Sequence, residues 1–203
     1  TPLVKGMEEA GAKVEVVSLR RKTIRNCIGC FTCWTKTPGK CVLDDDMSRE
    51  LFRKWTAADL AVYASPLYNY GITASMKVFI ERTLPAIQPF FEFTETGRMY
   101  HPVRTPVPAA AILSVAGMPD EDHFNALSAH FNYLFSSPGR RLVAEIYRPA
   151  AEAMPQPPLR EAAEDILAAT RQAGRELAEN MAVSPETLRR ITSRKMPPED
   201  RTP

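Results

Sequence analysis

All four cysteines of the chain lie in one stretch, Cys27-Ile28-Gly29-Cys30-Phe31-Thr32-Cys33 running through Trp34-Thr35-Lys36-Thr37-Pro38-Gly39-Lys40 to Cys41. Their spacing is C-x2-C-x2-C-x7-C. Thiolates are the ligands of soft metals, and three of them at steps of three with a fourth after a short loop can converge on a [4Fe–4S] cube. Gly29 and the Pro38-Gly39 pair let the backbone fold back around such a group. Two other chemistries stay open. Structural zinc prefers two well-separated C-x2-C pairs, which an unbroken triplet fits poorly. Reduced or redox-active thiols need no metal at all. A disulfide framework needs an oxidising compartment, and nothing in the chain reads as a secretory signal.

A second group of residues with chemical capacity is Ser65-Pro66-Leu67-Tyr68-Asn69-Tyr70-Gly71, which follows the apolar run Leu60-Ala61-Val62-Tyr63-Ala64. That run suits a buried parallel strand, and ligands of open α/β sheets bind beyond the carboxyl ends of strands. A hydroxyl, an amide and two aromatic rings offer stacking faces and hydrogen bonds together. Tyr68 and Tyr70 are two apart, so in an extended loop they face opposite ways. Ser114-Val115-Ala116-Gly117 forms a similar small-residue loop after the strand expected over 108–115. No general acid or base is evident, and no catalytic residue is assigned.

The elements that position these residues alternate. Leu3, Val4 and Met7 share a helical face ending at Gly11, and the β-branched Lys13-Val14-Glu15-Val16-Val17-Ser18-Leu19 reads as a strand. Arg20, Arg21, Lys22 and Arg25 read as a solvated loop rather than a phosphate or acidic-partner site. Asp44-Asp45-Asp46 is expected to cap the helix carrying Met47, Leu51, Phe52 and Trp55 rather than to bind metal. A helix with Met76, Phe79, Ile80 and Leu84 stops before Pro85. Phe90, Phe91, Phe93, Met99 and Tyr100 predict a β-hairpin or aromatic flap over 86–106, buried by a homodimer, a homotetramer or a lid. His101 reads as a surface residue; His123 and His130, two helical turns apart, are not expected to share a metal. After a strand over 142–147, a proline-rich linker leads to a long helix through Met181. Ser184 then opens a short final helix, and Met196 to Pro203 is a polar tail. This gives one domain over 1–183 and a C-terminal helix and tail over 184–203.

Composition sets limits. The chain has 203 residues, 44% hydrophobic and 25% charged, with 26 basic against 24 acidic residues and a formal net charge of +2. That balance gives no electrostatic case for nucleic acid. No apolar run approaches the roughly 20 residues that span a bilayer. A cytoplasmic setting, where thiols stay reduced, is expected.

Strands separated by helices predict a doubly wound parallel sheet. The cysteine motif with its Cys-Val-Leu-Asp-Asp-Asp-Met continuation, the Ala-Ser-Pro-Leu-Tyr-Asn-Tyr-Gly loop and Met-Lys-Val-Phe-Ile-Glu-Arg together resemble the iron–sulfur flavoproteins, within the flavodoxin-like NAD(P)H-dependent FMN reductases. The resemblance implies a flavodoxin-like sheet of order 2-1-3-4-5. It implies a [4Fe–4S] cluster on Cys27, Cys30, Cys33 and Cys41 near the flavin. FMN would contact Ser65, Pro66, Leu67, Tyr68, Asn69, Tyr70 and Gly71 on one side of its ring, and Ser114, Ala116 and Gly117 on the other. NAD(P)H would be the electron donor, with ferredoxin or another redox protein as a possible partner. The first strand of that order and its phosphate loop have no counterpart here, so roughly 20–30 further residues before Thr1 are expected. The competing functions are a cluster-free FMN or quinone reductase, a non-enzymatic electron carrier, and a zinc-stapled binding module.

Overall fold

The computed structural model describes residues 1–193. The polar tail expected over 196–203 lies outside them. The helices are α1 (Pro2–Glu9), α2 (a π turn, Met47–Leu51, continuing as α-helix Phe52–Thr56), α3 (Ala74–Glu81), α4 (Asn125–Leu134), α5 (Arg160–Asn180) and α6 (Pro185–Thr192). The strands are β1 (Leu60–Pro66), β2 (Glu92–Phe93), β3 (Met99–Tyr100), β4 (Ala109–Val115) and β5 (Leu142–Arg148).

The main sheet is parallel with order β1-β4-β5. Register pairs Leu60 with Ala109 and Pro66 with Val115, so Ser65 and Ser114 stand side by side at the carboxyl end. β4 is central, and its side chains alternate between two cores, as the pleat requires. Ala111 joins Leu3, Met7, Ile146, Ala169, Ala173 and Leu177 under α1, α5 and α6. Ala110 and Ile112 join Tyr63, Met76, Phe124, Leu127 and Phe131 under α3 and α4. Helices on both faces of a parallel sheet are the doubly wound architecture.

Helix α1 lies unusually close to α5. Thr1 caps its start, with Pro2 in the first turn, and Leu3 and Met7 are buried. A Cβ on Gly6 would stand 1.8 Å from the Arg171 carbonyl oxygen, and one on Gly174 would stand 2.1 Å from that of Leu3. The two helices touch backbone to backbone through paired glycines. Arg171 and Arg175 of α5 also bind Glu9 of α1.

One expected element does not form. Lys13 to Leu19 carries no strand, and Val16 is 72% exposed. β-Branched composition favours a pleated surface but does not supply a partner, and a strand exists through its ladder. Among the described residues nothing pairs with this segment or with the outer edge of β1. The three strands of the main sheet stand side by side in chain order, and the full expected order 2-1-3-4-5 is not confirmed by them. In the aromatic segment, β2 and β3 pair antiparallel around a Thr94–Gly97 turn, leaving Phe90, Phe91, Phe93 and Met99 more than half exposed.

Candidate functional site

The cysteine loop is tied at its neck. The Asp45 carboxylate accepts from the Arg25 amide at 3.0 Å and, through its other oxygen, from the Met47 and Ser48 amides at 3.1 and 3.3 Å. It therefore caps α2, as the aspartate run predicts. The same carboxylate takes the Arg82 guanidinium at 2.6 and 3.1 Å, and Arg82 Nη1 donates also to the Arg25 carbonyl at 2.7 Å. One residue further out, the Thr23 amide donates to Asp46 at 2.7 Å. Both side chains of the Arg82–Asp45 pair are almost wholly buried. Burial opposes the charge on each. The hydrogen bonds and opposite charge of the pair outweigh it, so Asp45 sits below the usual carboxylate range and Arg82 above its ordinary value.

Inside the neck the backbone doubles back, with Gly29, Phe31 and Gly39 at positive φ. Cys27, Cys30, Cys33 and Cys41 all line one open cavity, alongside Glu81 and Arg82. Burial, then the charges of Cys41, Cys30 and Cys27, push the Cys33 thiol up. Hydrogen bonds from Thr32 pull the exposed Cys30 thiol down. The cysteines are thus close enough to feel one another, although no group of three or more His, Cys, Asp or Glu among the described residues is arranged to hold a single metal ion. The donor set fits a larger thiolate-bound centre: four thiols face one cavity, and the buried Arg82 beside them keeps an Nε–H with no hydrogen-bond partner.

The loop is braced from outside. Trp34 donates its indole N–H to the Leu84 carbonyl at 3.3 Å and packs, tilted, between Phe31 and His101, at ring distances of 5.1 and 4.9 Å. His101 is not the unpartnered surface residue its position implies. Its Nδ1 lies 2.9 Å from the Gln88 carbonyl oxygen, and its ring is 4.4 Å from that of Phe91. The aromatic segment is joined to the cysteine loop through these rings.

The second group of site residues gathers at the carboxyl end of β1 and β4. Ser65 Oγ accepts from the Thr73 amide at 3.0 Å, ahead of α3, and donates to the Pro66 carbonyl. Ser114 Oγ is buried without a hydrogen-bond partner. The Leu67 amide donates to Val115, and Ala116 is held by Arg148 and Ala151. Gly117 faces the Glu152 carboxylate, which a Cβ would approach to 3.2 Å. Tyr68 to Gly71 is not extended. Asn69 and Tyr70 both adopt left-handed φ, 47° and 62°, in a two-residue turn closed by reciprocal Tyr68–Gly71 bonds. Both tyrosines are about 60% exposed, and the Tyr70 ring lies 5.8 Å from His123.

The two groups sit at opposite ends of α3. Thr73 precedes it beside Ser65, while Glu81 and Arg82 close it beside the cysteines. Eight residues of helix separate them by about 12 Å. Arg20, Arg21 and Arg25 are exposed, and Lys22 pairs with Glu50 at 2.6 Å, which matches a solvated loop. Arg82 is the residue to which sequence reasoning assigned no role, although it ends the Met-Lys-Val-Phe-Ile-Glu-Arg stretch that carries part of the resemblance.

Comparison with known proteins bears on the family and the fold. The family model for NADPH-dependent FMN reductase matches residues 3–121. An iron–sulfur flavoprotein of Archaeoglobus fulgidus is 45% identical over 82 residues, 40% of this chain and 36% of the relative. An iron–sulfur flavoprotein of Methanocaldococcus jannaschii is 38% identical over 77 residues, 38% of each chain. The chain therefore spans less than half the length of these curated relatives. Among solved structures, an NAD(P)H:quinone oxidoreductase from Methanothermobacter marburgensis superposes with a TM-score of 0.63 at 21% identity, covering 88% of this chain and 86% of its own. An FMN-dependent NADH-azoreductase from Bacillus anthracis gives 0.60 at 16% identity, covering 88% of each. The last two show the fold, and the family match over more than half of its length shows that the chain belongs to the NADPH-dependent FMN reductases.

Proposed function

We propose that the chain is a flavin-dependent redox protein that takes electrons from NAD(P)H through FMN and passes them singly to a [4Fe–4S] cluster or a small acceptor. The observation that carries the cluster is the convergence of all four cysteines on one cavity beside a buried guanidinium. Cys27, Cys30, Cys33 and Cys41 would hold it. FMN would lie against Ser65, Pro66, Leu67, Tyr68, Asn69, Tyr70 and Gly71, with Ser114, Ala116 and Gly117 lining its other side. When bound, these groups supply hydride acceptance and one-electron chemistry respectively. The protein's part is to place them: Ser65 fixes the start of α3, the Asn69-Tyr70 turn presents two exposed rings, and the Asp45 neck gathers the thiols. A homodimer or homotetramer covering Phe90, Phe91, Phe93 and Met99 completes the reading, with ferredoxin or a similar redox protein as partner and the cytoplasm as its setting. Among the described residues no helix is long and apolar enough to cross a membrane.

Anaerobic purification of the native protein, with iron, sulfide and FMN measured per chain, tests this. Four irons, four sulfides and one flavin are expected. Cys→Ser at any of the four positions should lose iron while leaving the bound flavin reducible by NADPH. Flavin without iron or sulfide would refute the cluster and leave a plain FMN reductase. Zinc in place of iron would make the loop a structural metal site.

A further inference from the structure

Arg82 follows directly on α3 and is 2% exposed. Its Nη1 is occupied by Asp45 and the Arg25 carbonyl, and its Nη2 donates to the second Asp45 oxygen. The charge of the guanidinium is therefore balanced by Asp45, which in turn is held by the Arg25, Met47 and Ser48 amides. Nε–H makes none of these bonds: it is a directed donor, buried and without an acceptor, in a side chain that lines the cysteine cavity. Buried donors in native structures are nearly always satisfied, and leaving one unmade is costly. The other charged side chain on the cavity, Glu81, is occupied by Lys77 at 2.6 Å. Cys41 lies near enough to the guanidinium to stabilise its charge.

We propose that Arg82 is the positioning and tuning residue of the cysteine site, its Nε–H donating to a sulfur of a thiolate-bound iron–sulfur centre and raising that centre's reduction potential. The inference rests on the cluster reading above. The physical cause is that reduction adds negative charge to the sulfurs, so a fixed donor favours the reduced state more than the oxidised one. Asp45 has the opposite influence. It cancels the guanidinium charge that would otherwise favour reduction further, and it keeps the fork oriented so that Nε is left for the cavity.

Potentiometric titration of the anaerobic holoprotein separates this role from simple support of the loop. Arg82→Lys keeps a cation for Asp45 but has no group equivalent to Nε. It is expected to lower the equilibrium constant for reducing the centre by about tenfold, a shift of about 59 mV for a one-electron couple. Asp45→Asn leaves the guanidinium charge unbalanced and is expected to move the potential the other way. A purely structural role predicts no such opposition of sign. The proposal is overturned if a loaded Arg82→Lys protein keeps the wild-type potential, or if both variants move in the same direction. Should Arg82→Lys fail to load, a loaded Asp45→Asn protein with unchanged or lowered potential would overturn it equally. Absence of iron and sulfide from the wild type refutes the cluster reading itself, and is seen before any variant is made.

Discussion

Replacing Gly174 by alanine puts a methyl group where the backbone of α1 already lies. The added carbon would be 2.1 Å from the Leu3 carbonyl oxygen and 3.0 Å from the Met7 amide nitrogen. Both neighbours are main chain and cannot rotate away, so α1 must retreat by about 1 Å, a gap that forfeits a quarter to a half of each dispersion contact it opens. Leu3 and Met7 pack in one core with Ala169, Ala173 and Leu177 of α5, and that layer loosens. Overpacking of this kind costs about 1–3 kcal/mol. Against it stands the helical preference of alanine over glycine, about 1 kcal/mol. The steric cost should win by about 2 kcal/mol, the contact being so short, and the melting temperature should fall by about 4–8 °C for a chain of this size. Thermal unfolding followed by circular dichroism measures it. Gly6, whose Cβ would stand 1.8 Å from the Arg171 carbonyl, gives the internal check. Once one methyl has pushed the helices apart the second costs less, so the double variant should lose less than the sum of the singles. A Gly174→Ala protein as stable as wild type, or strict additivity of the pair, would refute the close-crossing argument.

Acid should weaken the same interface. Arg171 and Arg175 lower Glu9 from 4.5 to about 2, and Lys22 and Lys54 do the same for Glu50. Depressed carboxylate values stabilise the fold fully above the unfolded pKa and lose that contribution as pH falls through the folded one. Urea unfolding should therefore show these groups contributing nothing to pH dependence above about pH 5, with loss setting in below 4.5, blunted by high salt because the pairs are exposed. At the turn, Tyr70 holds a left-handed φ of 62° that glycine adopts freely, so Tyr70→Gly should raise stability by about 1 kcal/mol in a urea titration. Tyr68→Ala is expected to weaken FMN binding more than Tyr70→Ala, since the Tyr70 ring already faces His123; fluorescence titration with FMN showing the reverse order would overturn it.

The parts of this protein that could be read from the chain are those whose signal is local. The apolar runs at 60–64 and 109–113 need no partner to be recognised as strands of a covered sheet, and the cysteine spacing marks four residues that the fold brings to one cavity. Asp45 was legible as a helix cap because its amides are two and three residues away. Its second role was not, because Arg82 lies 37 residues further on and a charge after an apolar helix face reads as solvated. His101 was misread for the same reason: Trp34 and Phe91 reach it from two different segments. Lys13 to Leu19 shows the converse, a strong strand composition whose outcome depended on a neighbour that composition does not encode. The tyrosine loop was read as extended because its residue types do not themselves announce two consecutive left-handed positions, a conformation only Asn69 of the pair adopts readily.

The knotting of the cysteine loop at Arg25 and Asp45 bears on the thermodynamics of whatever the thiols hold. Closing a loop costs chain entropy that grows with the logarithm of its length, and in small metal-dependent modules that cost is met at the moment of binding. Here it has been met by a carboxylate and a guanidinium whose bonds do not involve sulfur. On the cluster reading proposed above, the four cysteines would act as a single multidentate chelator rather than as separate ligands to be collected. Release of the bound group should thus leave a closed, ligand-ready loop, and reloading becomes a local exchange of ions and sulfide instead of a refolding of the domain.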